Sequence, residues 1–194
     1  MGDEEFLGGK KMGNEEITEE KFFDIWKKVC KGKESELVKA WDKGGKKYSD
    51  VVLGHENSES VVCGIKNGLT GYDLQQEYYS CDVVYYKDED FIEQNPLKKR
   101  NRKTPGNING VWLTTIRIHL EHENDINTSW QEIAQLSVIP GCELNVLVTY
   151  PEFDDYKDLS RILDKYAKLL ANRNTMKLLV VFGFLKEEVE KKIN

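Results

Sequence analysis

The stretch that most constrains this chain is residues 110–136, GVWLTTIRIHLEHENDINTSWQEIAQL. It reads as a strand running into Glu121-His122-Glu123 and then, past a short polar turn, into a helix. Side chains alternate faces along a strand with period two. The pattern predicts Arg117, His119, Glu121 and Glu123 on one face, with Trp112, Ile116, Ile118 and Leu120 on the other. Carboxylates two residues apart on one face lie roughly 6.5–7 Å apart at the backbone. Flexible side chains at that spacing can share a hard cation or a water. Like charges so close repel unless something positive lies between them. A metal site and a solvated strand end are the two readings, and the apolar partner face favours the metal.

The rest of the chain supplies a frame for that strand. Thr18 is suited to cap a helix in which Phe22, Ile25, Trp26 and Val29 share a face. Leu37, Val38 and Trp41 predict a second short helix before Gly44-Gly45. Residues 46–79 read as helical from Val61, Val62, Ile65, Leu69 and Tyr72, although Gly64, Gly68 and Gly71 would each cost up to about 1 kcal/mol in a helix. The segment 78–86, YYSCDVVYY, has the aromatic and β-branched composition of a strand and carries Asp82 within it.

A polar insert, 87–109, then brings five basic residues close together: Lys98, Lys99, Arg100, Arg102 and Lys103. After the organising strand, Ser129 and Glu132 predict a capping box, with Trp130, Ile133, Ala134 and Ser137 on one helical face and a stop at Pro140-Gly141. Residues 143–150 read as a strand covered on both faces. Residues 154–172 read as a helix with a stripe of Tyr156, Leu159, Leu163, Tyr166 and Leu170, and 177–184 as a further buried strand. The expected fold is α/β: a single domain over 17–194, with a central mixed sheet flanked by helices and a loose arm at 1–16. Its early strands are expected to be antiparallel and its later ones joined by helical crossovers.

Composition narrows the function. A formal net charge of −6 gives no bulk argument for nucleic acid, so such contact must come from the local cluster 98–103. No apolar run is long enough to span a bilayer, and the acidic N-terminus does not read as a secretory signal. Cys30, Cys63, Cys81 and Cys142 lack C-x-x-C spacing, which argues against zinc and for a reducing compartment; the cytoplasm is the expected location. Phosphate-binding glycine loops, a G-x-S-x-G elbow and an H-E-x-x-H helix are all missing from the sequence.

What remains is acidic. Adjacent strands lie about 4.8 Å apart, so Asp82 and Glu121 can meet and hold magnesium, which prefers a few carboxylates plus water and phosphate oxygens. Glu123 would serve a second metal or the attacking water, and Glu77 is a candidate further ligand, expected from a helix. Glu132 reads as a capping partner, Gln131 and Gln135 as surface residues able to orient a ligand, and His119 and His122 as structural residues on opposite faces.

An Asp in one strand, then Glu-x-(Lys or Glu) at the end of its neighbour, then a helix and another strand, resembles the PD-(D/E)xK nuclease superfamily. The resemblance covers about residues 78–184. It implies a restriction-endonuclease-like core preceded by N-terminal helices. By the same resemblance, Asp82 and Glu121 would hold Mg2+, with Mn2+ as an alternative, and Glu123 would stand where the family usually has Lys. The implied activity is hydrolysis of double-stranded DNA by a type II restriction-like homodimer. Cys81 in place of the usual Pro, and Glu123 in place of Lys, leave a second reading open: a catalytically inactive DNA- or protein-binding module.

Overall fold

Among the described residues four helices precede the first strand, and the first and last of them start on a capping hydroxyl. The computed structural model describes residues 16–54, 59–94, 111–139, 141–151, 158–171 and 176–184. Helix α1 (Glu19–Gly32) begins where the Thr18 hydroxyl accepts the Lys21 N–H at 3.2 Å. Its predicted face holds: Phe22 and Trp26 are buried, with Ile25 and Val29 packed against the same core. Helices α2 (Glu34–Trp41) and α3 (Gly45–Leu53) follow. Helix α4 (Val61–Gly68) opens on the Ser60 hydroxyl, which accepts the Cys63 N–H at 3.3 Å.

Gly64 and Gly68 stay in α4 because α1 lies against them. A Cβ on Gly64 would stand 2.7 Å from a Val29 methyl, and one on Gly68 equally close to a methyl of Ile25. The helix ends at Gly68, short of the predicted run, and Gly71, with a φ of 80°, turns the chain into β1 (Tyr72–Tyr78). Part of what the helical spacing suggested is therefore a strand. The predicted strand 78–86 divides as well: Tyr78 closes β1, Tyr79-Ser80 is the turn, and β2 spans Cys81–Lys87.

The long organising strand is also two pieces. A short 3-10 turn at Asp88–Asp90 leads to β3 (Phe91–Gln94), which pairs with β4 (Val111–Leu113) in a separate two-stranded ribbon. The chain then bends, with Thr114 N–H bonded to the Asp90 carbonyl at 2.8 Å, before β5 (Ile118–Glu123) enters the main sheet. Arg117 is thus outside β5. After β5 come α5 (Ser129–Leu136), β6 (Leu144–Thr149), α6 (Leu159–Leu170) and β7 (Leu178–Phe182).

The main sheet has the order β1-β2-β5-β6-β7. The first three strands are antiparallel and the last three parallel, so β5 is where the direction changes. This is the expected mixed α/β architecture with an antiparallel first half and helical crossovers. One face carries Val83, Tyr85, Ile118, Leu120, Val146 and Val148 against the N-terminal helices. The other carries Leu147 and Val180 under α5 and α6, with Ile133, Leu136 and Tyr166. Burial on both faces accounts for the unbroken apolar run of β6.

Two helix details differ from expectation. Thr128, not Ser129, is the N-cap of α5, and it makes no side-chain capping bond. The Ser129 hydroxyl instead donates to the Ile126 carbonyl and meets the Tyr166 hydroxyl, fixing α5 to α6. The inward face of α5 is Ile133 and Leu136, while Trp130 and Ala134 face solvent. In α6, Tyr166 is buried and Leu170 packed as expected, but Leu163 is 44% exposed and Ile162 takes its place. The basic cluster 98–103, the arm 1–15, Pro140, the predicted helix start at 154 and the charged end 185–194 lie outside the described residues. No helix among the described residues is long and apolar enough to cross a membrane. All four cysteines are free thiols.

Candidate functional site

Pairing of β2 with β5 sets the site. Val83 stands opposite Leu120, so one step further Asp82 stands opposite Glu121. Opposed residues of an antiparallel pair point to the same face, here the one covered by α5. The Asp82 N–H reaches Glu121 Oε2 at 3.4 Å, and Asp82 Oδ2 accepts the His122 N–H at 2.8 Å. The sequence prediction that these strands bring Asp82 and Glu121 together is met.

The pair is electrostatically unfavourable as it stands. Burial raises the affinity of Asp82 for a proton, and the Glu121 charge raises it further. Glu121 is only 2% exposed; burial and then Glu132 push its carboxyl up in the same way. The further charges acting on the pair are carboxyls: Glu77 on Asp82, Glu132 on Glu121. Among the described residues, no lysine or arginine forms an ion pair with either.

The other candidates divide. Glu77 is near Asp82, but at the end of strand β1 and not on a helix, and its backbone is left-handed with φ 52°. A non-glycine residue there stores of the order of 1–3 kcal/mol of strain. Glu123 closes β5, and its Oε1 accepts the Asp125 N–H at 2.8 Å, shaping the turn into α5. Glu132, read as a capping residue, is no cap. It is half-buried, and its proton affinity is raised by burial, Asp82 and Glu123.

Three further residues belong to the site without having been assigned to it. His119 Nε2 lies 2.6 Å from Glu121 Oε1, with the ring fully buried. Burial holds that imidazole neutral, down to about 4. Gln135 of α5 donates to the same Glu121 oxygen at 3.0 Å and to the Ser80 carbonyl, clamping the carboxylate and the β1–β2 turn to one helix. Cys81, the first residue of β2, brings its sulfur into a group with His119 and Glu121, the three ligand atoms lying within 4.8 Å of one another. His119 could have been found from its period-two spacing to Glu121. Nothing in the sequence marks Cys81; Gln135, read as a surface residue able to orient a ligand, does reach the site from α5.

His122 does point the other way, as alternation predicted. Its Nε2 meets the Tyr150 hydroxyl at 3.0 Å and its ring stacks on Tyr48 at 6.0 Å. It holds the back of β5 against the N-terminal helices. Compared with protein-family models, with curated proteins and with solved structures, the chain finds no match.

Proposed function

We propose that this chain is a metal-dependent endonuclease that hydrolyses DNA phosphodiester bonds, on a restriction-endonuclease-like core. The observation that carries the reading is the opposed Asp82–Glu121 pair, buried beneath α5 with further carboxylates around it and no lysine or arginine paired to it among the described residues. A fold that gathers buried negative charge in this way is suited to a bound cation. The oxygens of Asp82 and Glu121 fit a divalent ion such as magnesium, with manganese as an alternative. When bound, such an ion supplies an acidified water and a positive charge against the phosphate under attack.

The protein's own residues would do the rest. Gln135 and His119 fix the Glu121 carboxylate, so that it need not reorganise during reaction. Glu132, whose proton affinity is raised by burial and by its acidic neighbours, would serve as the group that takes a proton from water. Glu123 stands where the resembled superfamily usually has Lys, and its hydrogen bond to Asp125 gives it a positioning role at the strand end. The basic residues Lys98, Lys99, Arg100, Arg102 and Lys103 would hold the phosphate backbone, and a two-fold dimer would present one site to each strand.

The test is nicking and linearisation of supercoiled plasmid in magnesium and in manganese. Asp82→Asn and Glu121→Gln should each abolish measurable cleavage while leaving the circular dichroism spectrum unchanged. Replacing the five basic residues by Gln should lower DNA affinity and flatten its salt dependence, by up to about 0.9 per lost phosphate contact in the slope of log K against log salt. Full cleavage by either carboxylate variant would remove the assignment. A wild-type protein that binds DNA with that salt slope and never cuts would favour the binding-module reading, for which the observation is Glu123 in place of Lys.

A further inference from the structure

Beside the acidic pair, three donors of different hardness meet. The sulfur of Cys81, a ring nitrogen of His119 and an oxygen of Glu121 all lie within 4.8 Å of one another, and all three residues are buried. Ligand atoms around a tetrahedral ion with bonds of 2.0–2.3 Å stand about 3.3–3.8 Å apart. The group can therefore close on an ion by side-chain rotation, without moving a strand.

A separate feature of His119 points the same way. One ring nitrogen is tied to Glu121, while Nδ1 is buried with no hydrogen-bond partner. A buried polar atom left in that state costs about 1–3 kcal/mol. A metal-bound histidine characteristically uses one nitrogen for the ion and the other for a carboxylate or carbonyl. For His119 and Glu121 to hold the same ion, the bond between Nε2 and Glu121 must open, since the two ring nitrogens point to opposite sides of the imidazole. Gln135 steadies the same Glu121 oxygen, giving the carboxylate a second fixed neighbour.

The donor set decides the class of ion. Magnesium takes hard oxygens and does not take thiolate, whereas sulfur, imidazole and carboxylate together are the ligands of zinc and its borderline neighbours. We infer that Cys81, His119 and Glu121 form a site for a thiophilic divalent transition ion of the zinc class, with a fourth position left for water. The group shares Glu121 with the carboxylate pair read above as a magnesium site and sets a different class of ion there; it rests on the nuclease reading only for what the ion is used for. Binding exchanges the Cys81 S–H bond for a sulfur–metal bond, so ion uptake releases the thiol proton to solvent.

Cobalt(II), which occupies zinc sites and reports its ligands by colour, is the probe. Titrated into the full-length, metal-stripped protein, it should bind one equivalent and give a near-ultraviolet thiolate-to-cobalt charge-transfer band. Cys81→Ser should abolish the band and weaken cobalt binding by at least about 10–100-fold, the scale already seen for changes one shell further out. Cys142→Ser should keep both. Cys81→Ala and His119→Gln, each checked by its melting curve, guard against a variant that loses the band by unfolding. A missing band, or one that survives in a folded Cys81→Ser protein, overturns the site. Plasmid cleavage in magnesium alone with no cobalt band would overturn this inference and leave the nuclease standing. A Cys81-dependent band in a protein that leaves plasmid uncut in magnesium, manganese and cobalt would support the site and remove the nuclease.

Discussion

Glu121 carries three demands at once: it is buried, it faces Asp82, and it accepts from His119 and Gln135. Placing an amide there separates them. In Glu121→Gln the amide oxygen keeps His119 and Gln135 and the charge repulsion from Asp82 is removed, at the loss of the weak bond that Oε2 accepted from the Asp82 N–H. In chelator-treated protein at neutral pH, this variant should be more stable than wild type in urea. The gain should be about 1–2 kcal/mol, the order of a carboxyl's one-unit pKa shift. A loss of stability would mean that Glu121 is structural. The pair itself was legible because it needed only period two on neighbouring strands. Glu132 was misassigned, and Gln135 could not be told from Gln131, because their roles depend on which side of α5 faces the sheet, and Ser129 turning to Tyr166 sets that side. Cys81 adjoins Asp82, and simple alternation sends neighbours to opposite faces. Only the geometry of the strand start brings it into the group.

Between elements, the closest constraint is α4 against α1. Alanine at Gly64 should favour an isolated helix by about 1 kcal/mol. Here its Cβ would press into the stiff, branched Val29 at 2.7 Å. Overpacking of that kind costs about 1–3 kcal/mol, so Gly64→Ala should lower the urea midpoint, and Val29→Ala in the same chain should restore part of the loss. An increase in midpoint for the single variant would show that α1 and α4 are further apart. The same contact explains why α4 was readable despite its glycines, which mark close approach and not a helix end. β1 was not readable. Its first residue, Tyr72, falls on the helical spacing of Ile65 and Leu69, and as an edge strand it alternates weakly, with Asp73, Gln76 and Glu77 at partly or fully exposed positions. β6 and β7 were clear from their apolar runs. The bend at 114–117 was hidden because Ile116 and Arg117 continue the alternation of β5 without joining it.

Across the whole molecule, the sheet is tied at the end away from the acids by a polar clasp. The Arg117 guanidinium grips both oxygens of Asp90, at 2.7 and 2.6 Å, and reaches Glu143 at 2.9 Å, while Tyr72 donates to Glu143 at 2.9 Å. These contacts join β1, the turn after β2, and the entry to β6. Burial alone would raise the Asp90 carboxyl; the Arg117 guanidinium and the Lys87 N–H outweigh it and hold it below the ordinary range. A depressed carboxyl stabilises the fold above its unfolded value, near 4, and that stability is lost as pH falls through the lower folded value. Arg117→Met should therefore cost about 3 kcal/mol at pH 7. The deficit relative to wild type should narrow by pH 3, as followed by urea denaturation at both values. An equal deficit at the two pH values would show that Arg117 acts by packing alone.

The connection from β2 to β5, residues 88–117, joins the strands that carry Asp82 and Glu121, yet the bonds that seat those acids come from β2, β5 and α5. Closing a loop costs only roughly 0.6 kcal/mol for each doubling of its length. The segment between β3 and β4 can therefore be lengthened, shortened or exchanged by descent or by design at small energetic cost. In such a chain, that segment and the acidic pair would be free to evolve at different speeds.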